Sequence, residues 1–254
     1  MIKNLVMGGC VYNEEHKFLI PWLEFLKKIT NKIFIIDDGS TDNTLSICEK
    51  YTPYILKTDR LYPKGENILR KLWWDEASKL INNGDFIFPL DADEIFTDNS
   101  ILHFEEEIYN CLKKDGDAIG MDYYDMWNEN EYRDEPEKGW VKTTRPMINC
   151  VKFNKNKKYL WYQMYIHCGL VPANAYYCAY PSKLQIKHYA FSTLELRKNK
   201  IDFYEKYDPY DIIGAKNKEY ASFLDENPKL YPFIDNYENK IVIETKNRWP
   251  RYTL

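Results

Sequence analysis

The chain has 254 residues, of which 44% are hydrophobic, and it carries 35 Lys and Arg against 39 Asp and Glu, a formal charge of −4. This balance excludes the overall positive field that holds nucleic acid non-specifically. The length suits one large domain or two small ones. No stretch approaches the ~18 consecutive apolar residues of a membrane-spanning helix.

The N-terminus and the cysteines predict a cellular location. Residues 1–4 run directly into a strand pattern, without the apolar stretch and small-residue cleavage site of a signal peptide. The six cysteines are scattered and form no C-x-x-C pair. We therefore expect reduced thiols in a soluble, cytoplasmic protein, with a peripheral position at the inner membrane surface as an extension of that expectation.

The first ninety residues alternate between apolar runs and helical spacing. Four apolar runs predict strands, namely residues 5–11, 33–36, 54–56 and 86–90. Apolar residues recur at helical spacing in three stretches, which are 19–29, 45–51 and 69–80. Because strands and helices alternate with short connections, we predict an α/β fold, doubly wound, with a mostly parallel sheet and helices on both faces.

Polar clusters follow three of these apolar runs. They are Asn13-Glu14-Glu15, Asp37-Asp38 and Asp91-Ala92-Asp93-Glu94. Since ligands of open α/β sheets bind outside the carboxyl ends of the strands, we expect the clusters to meet at one edge. On a strand end, Asp91 and Asp93 share one side and repel each other, and a divalent cation would relieve that repulsion. A solvated turn before a helix is the alternative for this motif.

The common phosphate-binding motifs are absent from the sequence. Neither G-x-G-x-x-G nor G-K-[ST] occurs, and Gly8-Gly9 falls inside the first predicted strand. Pooled carboxylates with a cation suit a diphosphate, and acids after the first two strands suit ribose hydroxyls or a base N–H. Of the basic residues before the fourth strand, Lys64, Arg70 and Lys71 are candidates to hold phosphate, with a solvated helix face as the alternative for each.

The three clusters, in this order and spacing, resemble those of family 2 glycosyltransferases with the GT-A fold. The resemblance covers roughly the first hundred residues. It implies a nucleoside-diphosphate-sugar donor, with a UDP-sugar favoured, and a bound Mn²⁺ or Mg²⁺ ion. The donor-binding residues that it implies here are Tyr12, Asn13, Glu14, Asp37, Asp38, Arg70 and Asp91.

The second half of the chain is less regular. Helical spacing over residues 101–112 precedes a predicted strand at 117–121. The acidic and aromatic segment 122–138 follows, which we interpret as a solvated loop, a lid or an acceptor wall. The predicted division is a glycosyltransferase domain over 1–205, with a nucleotide-binding half (1–97) and an acceptor half (98–205), and an irregular extension (206–254) packed on it.

His188 lies at the end of an apolar run, and imidazole is a suitable ligand for Mn²⁺. The predicted metal ligands are therefore Asp91, Asp93 and His188, with a hydrogen-bonded structural role as the alternative for the histidine. This part of the sequence also resembles lipopolysaccharide-type members of the family, which implies that Lys200 faces the diphosphate. Cys168 stands where the resemblance implies a catalytic Glu, so we expect the base among Asp122, Asp125 and His167.

These features predict a metal-dependent glycosyltransferase that deprotonates an acceptor hydroxyl and transfers the sugar by single displacement with inversion. A nucleotide-sugar-binding module that has lost catalysis is one alternative. A sugar nucleotidyltransferase is another, although such enzymes usually carry a Gly-rich basic loop after the first strand, where this chain has Tyr12-Asn13-Glu14-Glu15. The acceptor, whether glycan, lipid, protein or modified nucleobase, stays open.

Overall fold

Within residues 1–140, 147–164, 166–208 and 222–237, which the computed structural model describes, the chain forms ten strands and five α-helices. The strands are β1 (Leu5–Val11), β2 (Ile33–Asp37), β3 (Ile55–Lys57), β4 (Phe86–Pro89), β5 (Glu94–Phe96), β6 (Ala118–Asp125), β7 (Glu131–Arg133), β8 (Met147–Lys152), β9 (Ala179–His188) and β10 (Leu230–Pro232). The helices are α1 (Leu19–Ile29), α2 (Thr44–Cys48), α3 (Glu66–Ala77), α4 (Asp98–Lys113) and α5 (Leu194–Tyr207).

Eight of these strands form one sheet in the order β3-β2-β1-β4-β8-β6-β9-β5. The first four are parallel to one another, and β4 then pairs antiparallel with β8. In the second half, β6 and β9 are parallel, while β6–β8 and β5–β9 are antiparallel. The predicted α/β fold with a mostly parallel sheet is confirmed, and its antiparallel pairs lie in the half with the less regular sequence pattern.

Alternate residues of the central strands enter different hydrophobic cores, as expected for a sheet covered on both faces. In β1, Leu5 and Met7 pack with α1, α2 and α4 on one face. Val6 packs on the other face with Trp73 and Trp74 of α3. Helices therefore cover both faces of the parallel half and leave the carboxyl ends of its strands open.

Two adjacent glycines in β1 allow a close approach of neighbouring backbones. A Cβ on Gly8 would lie 2.0 Å from the carbonyl oxygen of Phe34, and one on Gly9 would lie 2.0 Å from that of Leu90. Gly8 also has a φ of +138°, which side-chain-bearing residues rarely adopt. The Gly-Gly pair thus serves strand packing and not a phosphate-binding turn.

The second half differs from the prediction at two places. Strand β6 continues through Asp125 and β7 follows it, so residues 122–138 are partly strand and not a single loop. Helix α5 continues to Tyr207, so the predicted domain boundary after residue 205 falls inside a helix. Segments 209–221 and 238–254 of the predicted extension lie outside the described residues.

Residues 222–237 of the predicted extension contact the rest of the fold. Strand β10 pairs antiparallel with β7, and the Tyr237 hydroxyl donates a hydrogen bond to Glu107 on α4. The Arg133 guanidinium is fully buried between the rings of Trp127 and Trp140 and donates to Asp225. A buried charge held this way fixes residues 222–225 against β7. None of the helices in the described ranges has the length and apolarity needed to cross a bilayer.

Candidate active site

A cleft of about 540 Å³ opens where β1 and β4 end, and α5 contributes to its wall. The structure brings members of all three polar clusters to this cleft, as the sheet topology predicts. The predicted site residues on its wall are Tyr12, Glu14, Asp38, Arg70, Asp91, Asp93, His167, His188 and Lys200.

Asp38 fixes the loop that follows β3. Its buried carboxylate accepts hydrogen bonds from the Thr58 hydroxyl and the Leu61 N–H on one oxygen. The other oxygen accepts from Arg60 Nη1 at 2.8 Å and from the Tyr62 N–H at 2.9 Å. Because these four donors surround the carboxylate, Asp38 acts in this structure by positioning the loop, and its predicted donor contact stays a prediction.

That loop supplies a flat, cationic surface to the cleft. The Arg60 guanidinium lies 3.5 Å from the ring centroid of Tyr12. The Tyr62 ring stacks on Phe203 of α5 with the centroids 5.4 Å apart. Rings and guanidinium planes of this kind are surfaces on which a nucleobase stacks. Sequence reasoning missed Arg60, Tyr62 and Phe203. The sequence offers one signal, which is that Arg60 and Tyr62 follow the third strand.

Asn13 and Asp37 are not among the residues that line the cleft. The backbone of Asn13, at a φ of +50°, donates to the Ser40 hydroxyl, and its side-chain oxygen accepts from the Thr41 N–H. Asp37 is buried and accepts from the Ser40 N–H. These bonds join the loops after β1 and β2, so the structure gives both residues a framework role and leaves their predicted donor contact untested.

Glu14 is a cleft carboxyl in a partly desolvated place. Lys17 donates to it at 2.9 Å, and both residues line the cleft. Burial nevertheless raises the pKa of Glu14 from 4.5 to about 7, against the lowering effect of Lys17. Near neutral pH this group is therefore present in both the acidic and the ionised form.

Arg70 joins two carboxylates on the cleft wall. Its Nη1 donates to Asp91 Oδ1 at 2.7 Å and its Nη2 to Glu66 Oε1 at 3.3 Å. Burial opposes the charged forms, yet Arg70 holds the pKa of Asp91 below its ordinary range. Burial raises the pKa of Glu66, whose Oε2 has no hydrogen-bond partner among the described residues. Asp91 is thus bound to Arg70, the basic residue that the family resemblance implies contacts the donor. Sequence reasoning missed Glu66.

Asp93, His188 and Asp125 form a line of three groups. His188 Nε2 lies 3.8 Å from Asp93 Oδ2, and Nδ1 lies 2.6 Å from Asp125 Oδ1. A carboxylate on one ring nitrogen orients the other toward a metal, an arrangement common around metal-ligating histidines. No group of three or more potential ligands is assembled for an ion within the described ranges. Asp93 and His188 thus lie side by side on the cleft wall, and a divalent cation bound between them stays a prediction.

Lys200 supplies a positive charge from α5. It lies on the cleft wall with its ammonium 4.7 Å from the Phe191 ring centroid. Its charge contributes to the lowered pKa of Asp91, after the larger effect of Arg70. This ammonium shares the cleft with the Asp-Ala-Asp motif, and its contact with a diphosphate, which the family resemblance implies, stays a prediction.

The three candidate bases occupy different environments. Asp122 and Asp125 lie on β6 and outside the cleft wall, and Asp125 is engaged with the His188 imidazole. His167 lies on the wall, with Nε2 3.2 Å from Asp208 Oδ2. The thiol of Cys168 is buried, which raises its pKa to about 12. Cys168 therefore does not replace the missing carboxylate as a base near neutral pH.

Comparisons with known proteins point to one family. Residues 10–69 match the sequence model of Glycosyl transferase family 2. Over 147 residues the chain is 30% identical to "Uncharacterized glycosyltransferase MG060" of Mycoplasma genitalium, covering 52% of this chain and 46% of that protein. These similarities support a family 2 glycosyltransferase. A homolog of MG060 from Mycoplasma pneumoniae is 28% identical over 141 residues, with the same coverage of 52% and 46%.

The chain spans about half the length of the curated relatives it matches. Two solved structures of S. aureus TarS residues 1–349 also match. The complex with UDP covers 51% of this chain and 41% of that one, with 20% identity and a TM-score of 0.36. The other structure covers 78% and 64%, with 14% identity and a TM-score of 0.43. The family match ends at residue 69, so the resemblance of the later segment to lipopolysaccharide-type members stays a prediction.

Proposed function

We propose that the chain transfers a sugar from a nucleoside-diphosphate donor, with a UDP-sugar favoured, to an acceptor hydroxyl, and that Mn²⁺ or Mg²⁺ is held at Asp93 and His188. The observation that carries the proposal is the oriented Asp93–His188 pair, with Nε2 and Oδ2 3.8 Å apart, on the wall of the cleft that also holds Tyr12 and Arg60. A cation ligand set and a stacking surface in one cleft suit the two ends of a nucleoside diphosphate.

In this proposal, different residues of the cleft contact different parts of the donor. Tyr12 and Arg60 contact the base, and Lys200 contacts the diphosphate. The cation, when bound, neutralises charge on the diphosphate oxygens. Because Asp91 is paired with Arg70 of α3, we assign the cation to Asp93, the other carboxylate of the Asp-Ala-Asp motif. Electrostatic stabilisation of the departing nucleoside diphosphate is then the main contribution to the rate.

We extend the proposal to transfer with inversion, in which the acceptor oxygen attacks the anomeric carbon opposite the leaving phosphate. The support is the family resemblance, together with a cleft whose proposed cation ligands lie between β4 and β5 and at the end of β9, and a separate histidine, His167, on its wall. The anomeric configuration of the product, read from NMR coupling constants, tests this part. A product that keeps the configuration of the donor refutes inversion and leaves the donor assignment intact.

The donor class is tested with a panel of UDP-, GDP-, TDP- and CMP-sugars in the presence of Mn²⁺. We expect one nucleotide class to raise the melting temperature, and sugar donors of that class to release their nucleoside diphosphate slowly to water. Binding without any release, by every donor and with metal present, would instead favour a binding module that has lost catalysis. No stabilisation by any nucleotide would refute the proposal.

A further inference from the structure

His167 and Asp208 form a pair at the side of the cleft. Nε2 of His167 lies 3.2 Å from Oδ2 of Asp208, and its ring lies 5.1 Å from that of Tyr204 on α5. Asp208 is fully buried at the C-terminal end of α5, where its N–H donates to the Tyr204 carbonyl at 2.8 Å. The helix end and the contact with the tilted Tyr204 ring therefore fix both members of the pair relative to the cleft.

The carboxylate determines which nitrogen of His167 is free to react. A carboxylate on Nε2 accepts the N–H from that nitrogen, which leaves the lone pair on Nδ1. Nδ1 makes no hydrogen bond with any residue in the described ranges. This is the arrangement in which a buried carboxylate orients an imidazole and stabilises its protonated form during proton transfer.

The backbone at His167 is in an uncommon conformation. Its φ is +61°, in the left-handed region that side-chain-bearing residues seldom adopt. Such residues persist where the surrounding structure imposes them, and they concentrate at functional sites. Here the conformation places His167 on the cleft wall while the next residue, Cys168, is buried and interacts with Glu66.

We propose that His167, oriented by Asp208, is the general base that deprotonates the acceptor. This inference rests on the proposed glycosyl transfer and assigns the group that the sequence leaves open at Cys168. The acceptor O–H gives its proton to His167 Nδ1, and the oxygen lone pair forms the bond to the anomeric carbon. The bond from that carbon to the phosphate oxygen breaks, and its electron pair leaves with the nucleoside diphosphate. Asp208 keeps its charge and stabilises the imidazolium, so it is a positioning residue.

The test uses variants that the backbone at position 167 accepts. Glycine adopts a positive φ without strain, so His167→Gly removes the imidazole and leaves space for a free one. Asparagine is also enriched in this conformation, so His167→Asn preserves the backbone without supplying a base. His16→Gly, at a highly exposed histidine in the loop after β1, is the matched control.

Two measurements separate catalysis from donor binding. Calorimetry with UDP and Mn²⁺ reports the donor site, and release of UDP from UDP-glucose, or from the UDP-sugar that turned over in the panel, reports proton transfer from water. We expect both His167 variants to bind UDP within twofold of wild type and to release it about 100-fold more slowly, in keeping with the usual contribution of a general base. Imidazole added to His167→Gly should restore the rate at least fivefold, with no effect on wild type or His16→Gly.

Asp208→Asn tests the positioning role, with Asp202→Asn on the exposed part of α5 as its control. We expect a tenfold or greater loss of rate in Asp208→Asn, no loss in the control, and unchanged UDP affinity in both. A His167→Gly rate within threefold of wild type, or a reduced rate that imidazole does not restore, would overturn the assignment. If wild type binds no nucleotide of the panel, or binds one and releases none from any donor, the proposed function itself fails and the base assignment falls with it.

Discussion

Replacing Asp38 by Asn tests whether Asp38 binds the donor directly or positions the loop that follows β3. The amide keeps one acceptor oxygen but presents an NH₂ group to two of the four donors that the carboxylate satisfies. A lost hydrogen bond to a charged group costs about 1–1.5 kcal/mol here, after a discount for the Arg60 guanidinium, whose side chain is 36% exposed. We therefore expect Asp38→Asn to lower the free energy of unfolding by about 2–3 kcal/mol.

Urea unfolding and UDP calorimetry on the same protein measure the two consequences. Because the loop carries Arg60 and Tyr62 into the cleft, UDP affinity should fall about fivefold together with stability. Asp59→Asn changes an exposed carboxylate in the same loop and should alter neither quantity. A large loss of UDP affinity with unchanged unfolding would mean that Asp38 binds the donor directly, and it would refute the loop role.

Three further substitutions test the framework and the charges of the cleft. Gly9→Ala should destabilise the fold by about 3 kcal/mol in urea titrations, because its Cβ would lie 2.0 Å from a backbone carbonyl oxygen of a neighbouring segment. The pKa of Glu14 is raised from 4.5 to about 7, so its stabilising contribution is present below pH 4.5 and is lost as the pH rises through 7. The free energy of unfolding of Glu14→Gln should therefore rise by about 2–3 kcal/mol relative to that of wild type as the pH increases over that range. The control Glu24→Gln, at an exposed position, should show no such trend. A difference between Glu14→Gln and wild type that does not change with pH would contradict the raised pKa. Arg70→Met should cost about 3 kcal/mol because it leaves the buried Glu66 carboxylate unpaired. Adding Glu66→Gln should recover at least ~1 kcal/mol of that loss, whereas simple additivity of the two changes would argue against the Arg70–Glu66 pair.

Local pattern predicted the parallel half of the fold because each of its elements carries its own signal. Helix α1 was expected at residues 19–29 and is found at Leu19–Ile29, and the apolar runs became β1 to β4. Strand β5 gives no such signal, since its three residues begin at the last acid of the motif and, within the part of the chain that the structure describes, it pairs only with β9. Where a strand depends on a distant partner, the sequence around it does not specify the pairing.

Site residues could be predicted from the sequence where they belong to one local motif. They could not be predicted where the site depends on a contact between two distant segments. Asp93 lines the cleft because its motif directly follows a strand whose carboxyl end opens there, whereas Lys200, which also lines the cleft, was implied only by the family resemblance. The contact between His167 and Asp208 spans 41 residues and depends on where α5 ends. The same applies to the loop around Arg60, which Asp38 organises from 22 residues away.

The coupling between metal and nucleotide at Asp93 tests the central claim most directly. UDP affinity is measured by calorimetry with and without Mn²⁺, in wild type, in Asp93→Asn and in Asp98→Asn, whose side chain is 93% exposed at the start of α4. We predict that Mn²⁺ tightens UDP binding at least tenfold in wild type and in Asp98→Asn, and by less than twofold in Asp93→Asn. Equal UDP affinity with and without Mn²⁺ in wild type, or full coupling in Asp93→Asn, would contradict the account.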